Sequence, residues 1–144
     1  MESGLLHLHN LLRWIILIFL VVAILQGFAK KAGMLKTSLW LLIASHITLL
    51  IGLYQYFTGA FGYSLIKLNG FAEVMKNSAQ RFWAVEHITG MVIAIILITI
   101  ARGKVKKLNY SGATILYVIA LLIILAVVPW PFREGIARPW FPGM

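Results

Sequence analysis

The chain has 144 residues, 61% of them hydrophobic and 12% charged, and a net charge of +9. A soluble domain averages about 45–50% apolar and about 25% charged residues, so an ordinary water-facing surface is excluded. The basic balance does not point to nucleic acid. The cations sit in short segments between apolar runs, as bilayer topology requires, and no basic–aromatic platform accompanies them.

The chain has no cysteine. That excludes disulfides, thiolate metal sites, iron–sulfur clusters and the Cys-x-x-Cys-His attachment of a c-type haem. A haem in this protein would be held non-covalently.

A helix that crosses the hydrocarbon needs about 20 mostly apolar residues. The first such run spans about 8–28. No Lys or Arg precedes Arg13 and no small-residue cleavage site follows, so a retained span is expected rather than a signal peptide. The second span is expected over about 37–57, after a short basic turn, Ala29 to Lys36. From Gly59 to Arg81 the chain is longer and more polar. Phe71, Met75, Ser78 and Phe82 recur there at helical spacing, which predicts a short surface helix with Asn77 or Ser78 as a cap. Spans three and four are expected over about 82–100 and 113–128. They are joined by a turn that carries Arg102, Lys104, Lys106 and Lys107.

The expected fold is therefore all-α: one transmembrane domain over 1–144, an antiparallel four-helix bundle with a surface helix between spans two and three. The two short turns hold seven of the thirteen Lys and Arg, which predicts that they are cytoplasmic. Both termini and the Gly59–Arg81 loop then face the periplasm. The tail over 129–144 holds Pro129-Trp130-Pro131-Phe132 and Arg138-Pro139-Trp140. It is read as an interfacial aromatic anchor or as a lid over a site at the outer face. No internal repeat is evident.

Ionisable residues are rare at membrane depth and usually face a bundle interior, a partner or a ligand. Antiparallel order gathers His7, His9, Arg13, Tyr54, Gln55, Tyr56, Glu86 and His87 in the outer half. At about 1.5 Å rise per residue, Arg13 and Glu86 both lie roughly 7 Å below the outer surface. Opposite charges at one depth predict an Arg13–Glu86 pair, or two groups that share a ligand.

His9 and Arg13 are four apart and share a helix face. His7 points nearly the other way and is expected to reach water. His87 shares a face with Trp83 and Met91, and Gly90 below it permits close approach of a flat ligand or of another backbone. His46 lies near the bilayer centre. It is either a hydrogen-bonded tie between helices, or a relay or ligand.

Imidazoles on facing helices of a bundle are what bis-histidine ligation of haem b requires. His9 with His87 is the best-matched pair, and Arg13 or Arg81 supplies a cation for the propionates. His46 pairs poorly with His87, because Cβ vectors tilt toward each helix N-terminus.

His9-x-x-x-Arg13-Trp14, Arg81-Phe82-Trp83-Ala84-Val85-Glu86-His87 and Pro129-Trp130-Pro131-Phe132 together resemble a family of small four-span membrane proteins of Bacteroidota commonly labelled "cytochrome b". The resemblance covers nearly the whole chain. It implies a protein of the bacterial cytoplasmic membrane that binds haem.

Two other readings stand beside haem and electron transfer. One is a zinc, copper or iron site built from His7 or His9, His46, His87 and Glu86. The other is a non-catalytic subunit or assembly factor, near quinone or respiratory subunits, in which the polar residues only tie helices together. The oligomeric state and the identity of any enzyme activity are left open. No Ser-His-Asp or Cys-His arrangement suggests hydrolysis.

Overall fold

A computed structural model describes residues 2–59 and 62–130. Those residues form helices joined by turns, with no strand among them. The long helices are α1 (Glu2–Phe28), α2 (Met34–Thr58), α6 (His87–Lys106) and α7 (Tyr110–Val127). Between α2 and α6 lie three short helices, α3 (Tyr63–Asn69), α4 (Phe71–Lys76) and α5 (Ser78–Arg81), and a π-helical turn over Phe82–Glu86. Four helices are long and apolar enough to cross a membrane.

Each basic turn reverses the chain by one device. After α1, Lys30 adopts a positive φ of 53°. Its N–H donates to the Gly27 carbonyl, and that of Lys31 donates to Gln26. After α6, Leu108 takes φ 61°, with Leu108 donating to Val105 and Asn109 to Lys104. Both are Schellman closures, which satisfy the last carbonyls of a helix. A non-glycine residue in this conformation costs roughly 1–2 kcal/mol. Asn109 then starts α7, its Oδ1 accepting from the Gly112 N–H at 3.0 Å. The expected cap at Asn77 is present, its Oδ1 accepting from the Gln80 N–H at 3.1 Å.

Helix α1 packs on α2 and α7, and α6 packs on the same two. The seam residues recur at helical spacing: Ile16, Leu20 and Ala23 on α1, Leu41 and Ala44 on α2, Ala94, Ile98 and Ala101 on α6, Ala113, Tyr117 and Ala120 on α7. Alanines at the centre let the backbones approach closely. Buried hydroxyls turn back onto their own helices, Ser45 to Leu41 and Thr48 to Ala44, each at 2.7 Å. The outer faces are as apolar as the seams, with Ile18, Leu25, Leu50 and Leu122 well exposed. Such a surface suits lipid and not water.

The segment before span three departs from expectation. One surface helix over 71–81 is replaced by α4 and α5, which break at Asn77 in extended conformation. Helix α3 has no buried residue, so it left no apolar periodicity in the sequence. The π turn also carries no composition signal. Span three is longer than expected, because a continuous helical run reaches from Ser78 to Lys106.

Candidate functional site

Helices α1, α2, α6 and α7 line a partly open cavity of about 540 Å³, to which His9, Arg13, Gly52, Trp83, His87 and Met91 contribute. The volume falls within the about 300–1,000 Å³ usual for cofactor and small-ligand sites. His7 lines it too, but its side chain is exposed.

His9 enters the cavity from α1. Its ring lies on the backbone of α2 at Gly52, where a Cβ would stand 3.4 Å from His9 Cε1. His9 Nδ1 is sealed from solvent and has no hydrogen-bond partner among the described residues. A buried polar nitrogen of this kind costs free energy unless something binds it.

His87 enters from α6. Its Nδ1 lies 2.7 Å from the Val127 carbonyl on α7. A carbonyl only accepts, so Nδ1 carries the proton and Nε2 is the basic nitrogen. An imidazole that ligates a metal almost always donates its other N–H in this way. Phe82 and Trp83 hold the ring at centroid distances of 5.8 and 6.1 Å.

The His9 and His87 ring centres are 6.3 Å apart, with an interplanar angle of 65°. The structure thus brings His9 and His87, paired in the sequence reading, into one cavity. One orphaned imidazole nitrogen, one imidazole with its tautomer set and one cation line the same cavity.

That cation is Arg13. Its guanidinium carbon lies 5.1 Å from the Trp14 ring centre and 5.4 Å from that of Trp130. Cation–π contacts are worth about 0.5–1 kcal/mol when exposed and about 2 when desolvated. Trp130 is anchored in turn by its Nε1–H, which donates to the Leu125 carbonyl at 2.9 Å. The remainder of the tail, 131–144, including its reading as an anchor or lid, lies outside the described residues.

Three expectations are corrected. Glu86 pairs with Arg81, Nε to Oε1 at 2.6 Å, where a pair with Arg13 was expected. The π turn brings residues five apart onto one face, while the Trp14 and Trp130 rings stack on Arg13. His46 is exposed, and its Nδ1 lies 2.9 Å from the Leu42 carbonyl of its own helix. It therefore neither ties two helices nor reaches the cavity. No three of the chain's His, Asp and Glu gather into a metal site among the described residues, because His46 and Glu86 are turned elsewhere. Gly90 serves packing: a Cβ there would stand 2.5 Å from Val127 Cγ1.

Sequence reading missed Gly52, whose place under His9 depends on the register between α1 and α2. It also missed the link from Tyr56 Oη to the Ala84 carbonyl, 2.7 Å across α2 and the π turn. No family model, curated protein or solved structure matches the chain.

Proposed function

We propose that this chain is a small b-type haem protein of a bacterial cytoplasmic membrane that serves electron transfer. On this reading it is an antiparallel four-helix bundle with both termini periplasmic and its two basic turns cytoplasmic. His9 and His87 would hold the haem through their imidazoles, and Arg13 would supply a cation for its carboxylates. The observation that carries the reading is the His9–His87 pair, 6.3 Å between ring centres, lining one cavity with Arg13. Bound haem b supplies a one-electron couple at its iron.

The protein's own part is to hold and to shield. Val127 sets the tautomer of His87 through its carbonyl. Gly52 leaves room for His9. Trp14 and Trp130 fix the guanidinium of Arg13. Ile16, Met91 and Ile95 give the cavity apolar walls.

A second reading, a non-catalytic membrane subunit, draws on one observation. The His87–Val127 hydrogen bond ties α6 to α7 whether or not anything is bound.

The visible spectrum of protein purified from haem-replete cells, oxidised and then reduced, decides between them. A Soret band with sharp reduced α and β bands is expected. His87→Ala abolishes haem retention. His9→Ala abolishes it or leaves five-coordinate, high-spin iron, and His46→Ala leaves the spectrum unchanged. A colourless wild-type protein defeats the haem reading; stoichiometric metal in such a preparation would favour a metal site.

A further inference from the structure

The helical run that carries His87 is not a regular α-helix. Its turn over Phe82–Glu86 is π-helical, and the His87 N–H closes it on the Phe82 carbonyl, five residues back. Such turns behave as one extra residue in an α-helix and recur at functional sites. An extra residue shifts the phase of the downstream helix by roughly 100°, given 3.6 residues per turn. Where the turn sits therefore decides which way His87 points.

Two contacts hold it in place. Arg81 and Glu86 are five residues apart. On an α-helix that spacing leaves side chains roughly 140° apart, whereas i→i+5 bonding stacks them on one face. Their ion pair, 2.6 Å, thus spans the π turn from one end to the other. Arg81 is itself anchored, its Nη1–H donating to the Met75 carbonyl of α4 at 3.1 Å. From α2, Tyr56 Oη donates to the Ala84 carbonyl at the middle of the turn. Ala84 is buried, so no side chain of size competes for that approach.

We infer that Tyr56, Arg81 and Glu86 are positioning residues that pin the π turn directly ahead of His87 and so aim its ring at His9 and the cavity. Without them the turn is free to migrate past His87, which swings the ring off the Val127 carbonyl. The inference concerns the ring that the haem reading uses, but it rests on the helix geometry and stands without haem.

The test uses full-length protein prepared without haem, labelled with ¹⁵N only at histidine and held in detergent micelles. With four histidines in the chain, the spectrum is simple, and loss of a signal in His87→Gln assigns His87. The wild-type His87 ring is expected as the Nδ1–H tautomer, slow to exchange. In Tyr56→Phe and in Glu86→Ala this tautomer gives way to Nε2–H. The ring N–H exchanges on the order of tenfold faster, the loss of about one hydrogen bond. The His46 signal and the far-UV circular dichroism stay as they were. Glu86→Gln, whose amide oxygen still accepts from Arg81, restores the wild-type signature. A His87 tautomer and exchange rate unchanged in both Tyr56→Phe and Glu86→Ala would overturn the inference, whatever the outcome with haem. Tyr56→Phe removes one hydroxyl only, so it reports even if Glu86→Ala does not fold. A locked His87 in a protein that never takes up haem would uphold the inference and defeat the haem reading alone.

Discussion

Gly90→Ala is the most informative single substitution at the α6–α7 seam. A Cβ built on Gly90 would stand 2.5 Å from Val127 Cγ1 and 3.0 Å from Cγ2. Carbon atoms prefer about 3.5–4.0 Å, so about 1 Å must be found. Val127 cannot supply it by turning, because a β-branched side chain in a helix has essentially one rotamer. The two helices must separate, at the level where Val127 accepts the hydrogen bond from His87. Overpacking of this kind costs about 1–3 kcal/mol. Replacing glycine by alanine inside a helix returns roughly 0.5–1 kcal/mol. A net loss of about 1–2 kcal/mol is expected. Gly103→Ala is the control, since nothing lies within 4 Å of its Cβ position on the same helix; it should be neutral or slightly stabilising. Stability would be read by denaturant titration in micelles, following tryptophan fluorescence. Val127→Ala combined with Gly90→Ala should recover part of the loss, because the clashing methyls are gone. If Gly90→Ala proves as stable as Gly103→Ala, the close approach of α6 and α7, and with it the placement of His87 against Val127, is refuted.

Three further outcomes rest on the same geometry. Glu86→Gln should change stability by no more than about 1 kcal/mol in the same titration, because both partners of its ion pair are more than a third exposed and water screens them; a loss of several kcal/mol would mean that the pair is dry. Trp130→Phe keeps a ring against Trp14 and Arg13 but drops the hydrogen bond to Leu125, at a cost of about 1 kcal/mol, whereas Trp130→Ala should cost about 3 kcal/mol or more by the usual penalty for a buried tryptophan; equal losses would show that the ring contributes nothing by packing. Single cysteines placed at Gly33 and at Ser64 of this cysteine-free chain should label from opposite sides of the membrane, Gly33 from the cytoplasm, and the reverse pattern would invert the proposed orientation.

Composition alone marked out the four helices long and apolar enough to cross a membrane, because about 20 uninterrupted apolar residues have few other uses. It also placed the two basic turns, and the cap at Asn77 was legible because a side-chain acceptor at a helix start has a local signature. Helical periodicity put His9 and Arg13 on one face and His87 with Trp83 on another. From there His9 and His87 could be paired by the side they share, and the structure sets their ring centres 6.3 Å apart. The partner of each charge was not legible. Depth matched Arg13 to Glu86, but depth is one coordinate of three. The π turn rotated Glu86 onto Arg81, and the fold brought Trp130 over Arg13. His46 was misjudged for the same reason: a helix apolar on every face does not reveal which side meets lipid, and only packing turned that ring outward. The π turn, Gly52 beneath His9 and the reach of Tyr56 to Ala84 all depend on the register between helices distant in sequence. That register is set by how side chains of different helices interlock, and no local pattern in one helix encodes it.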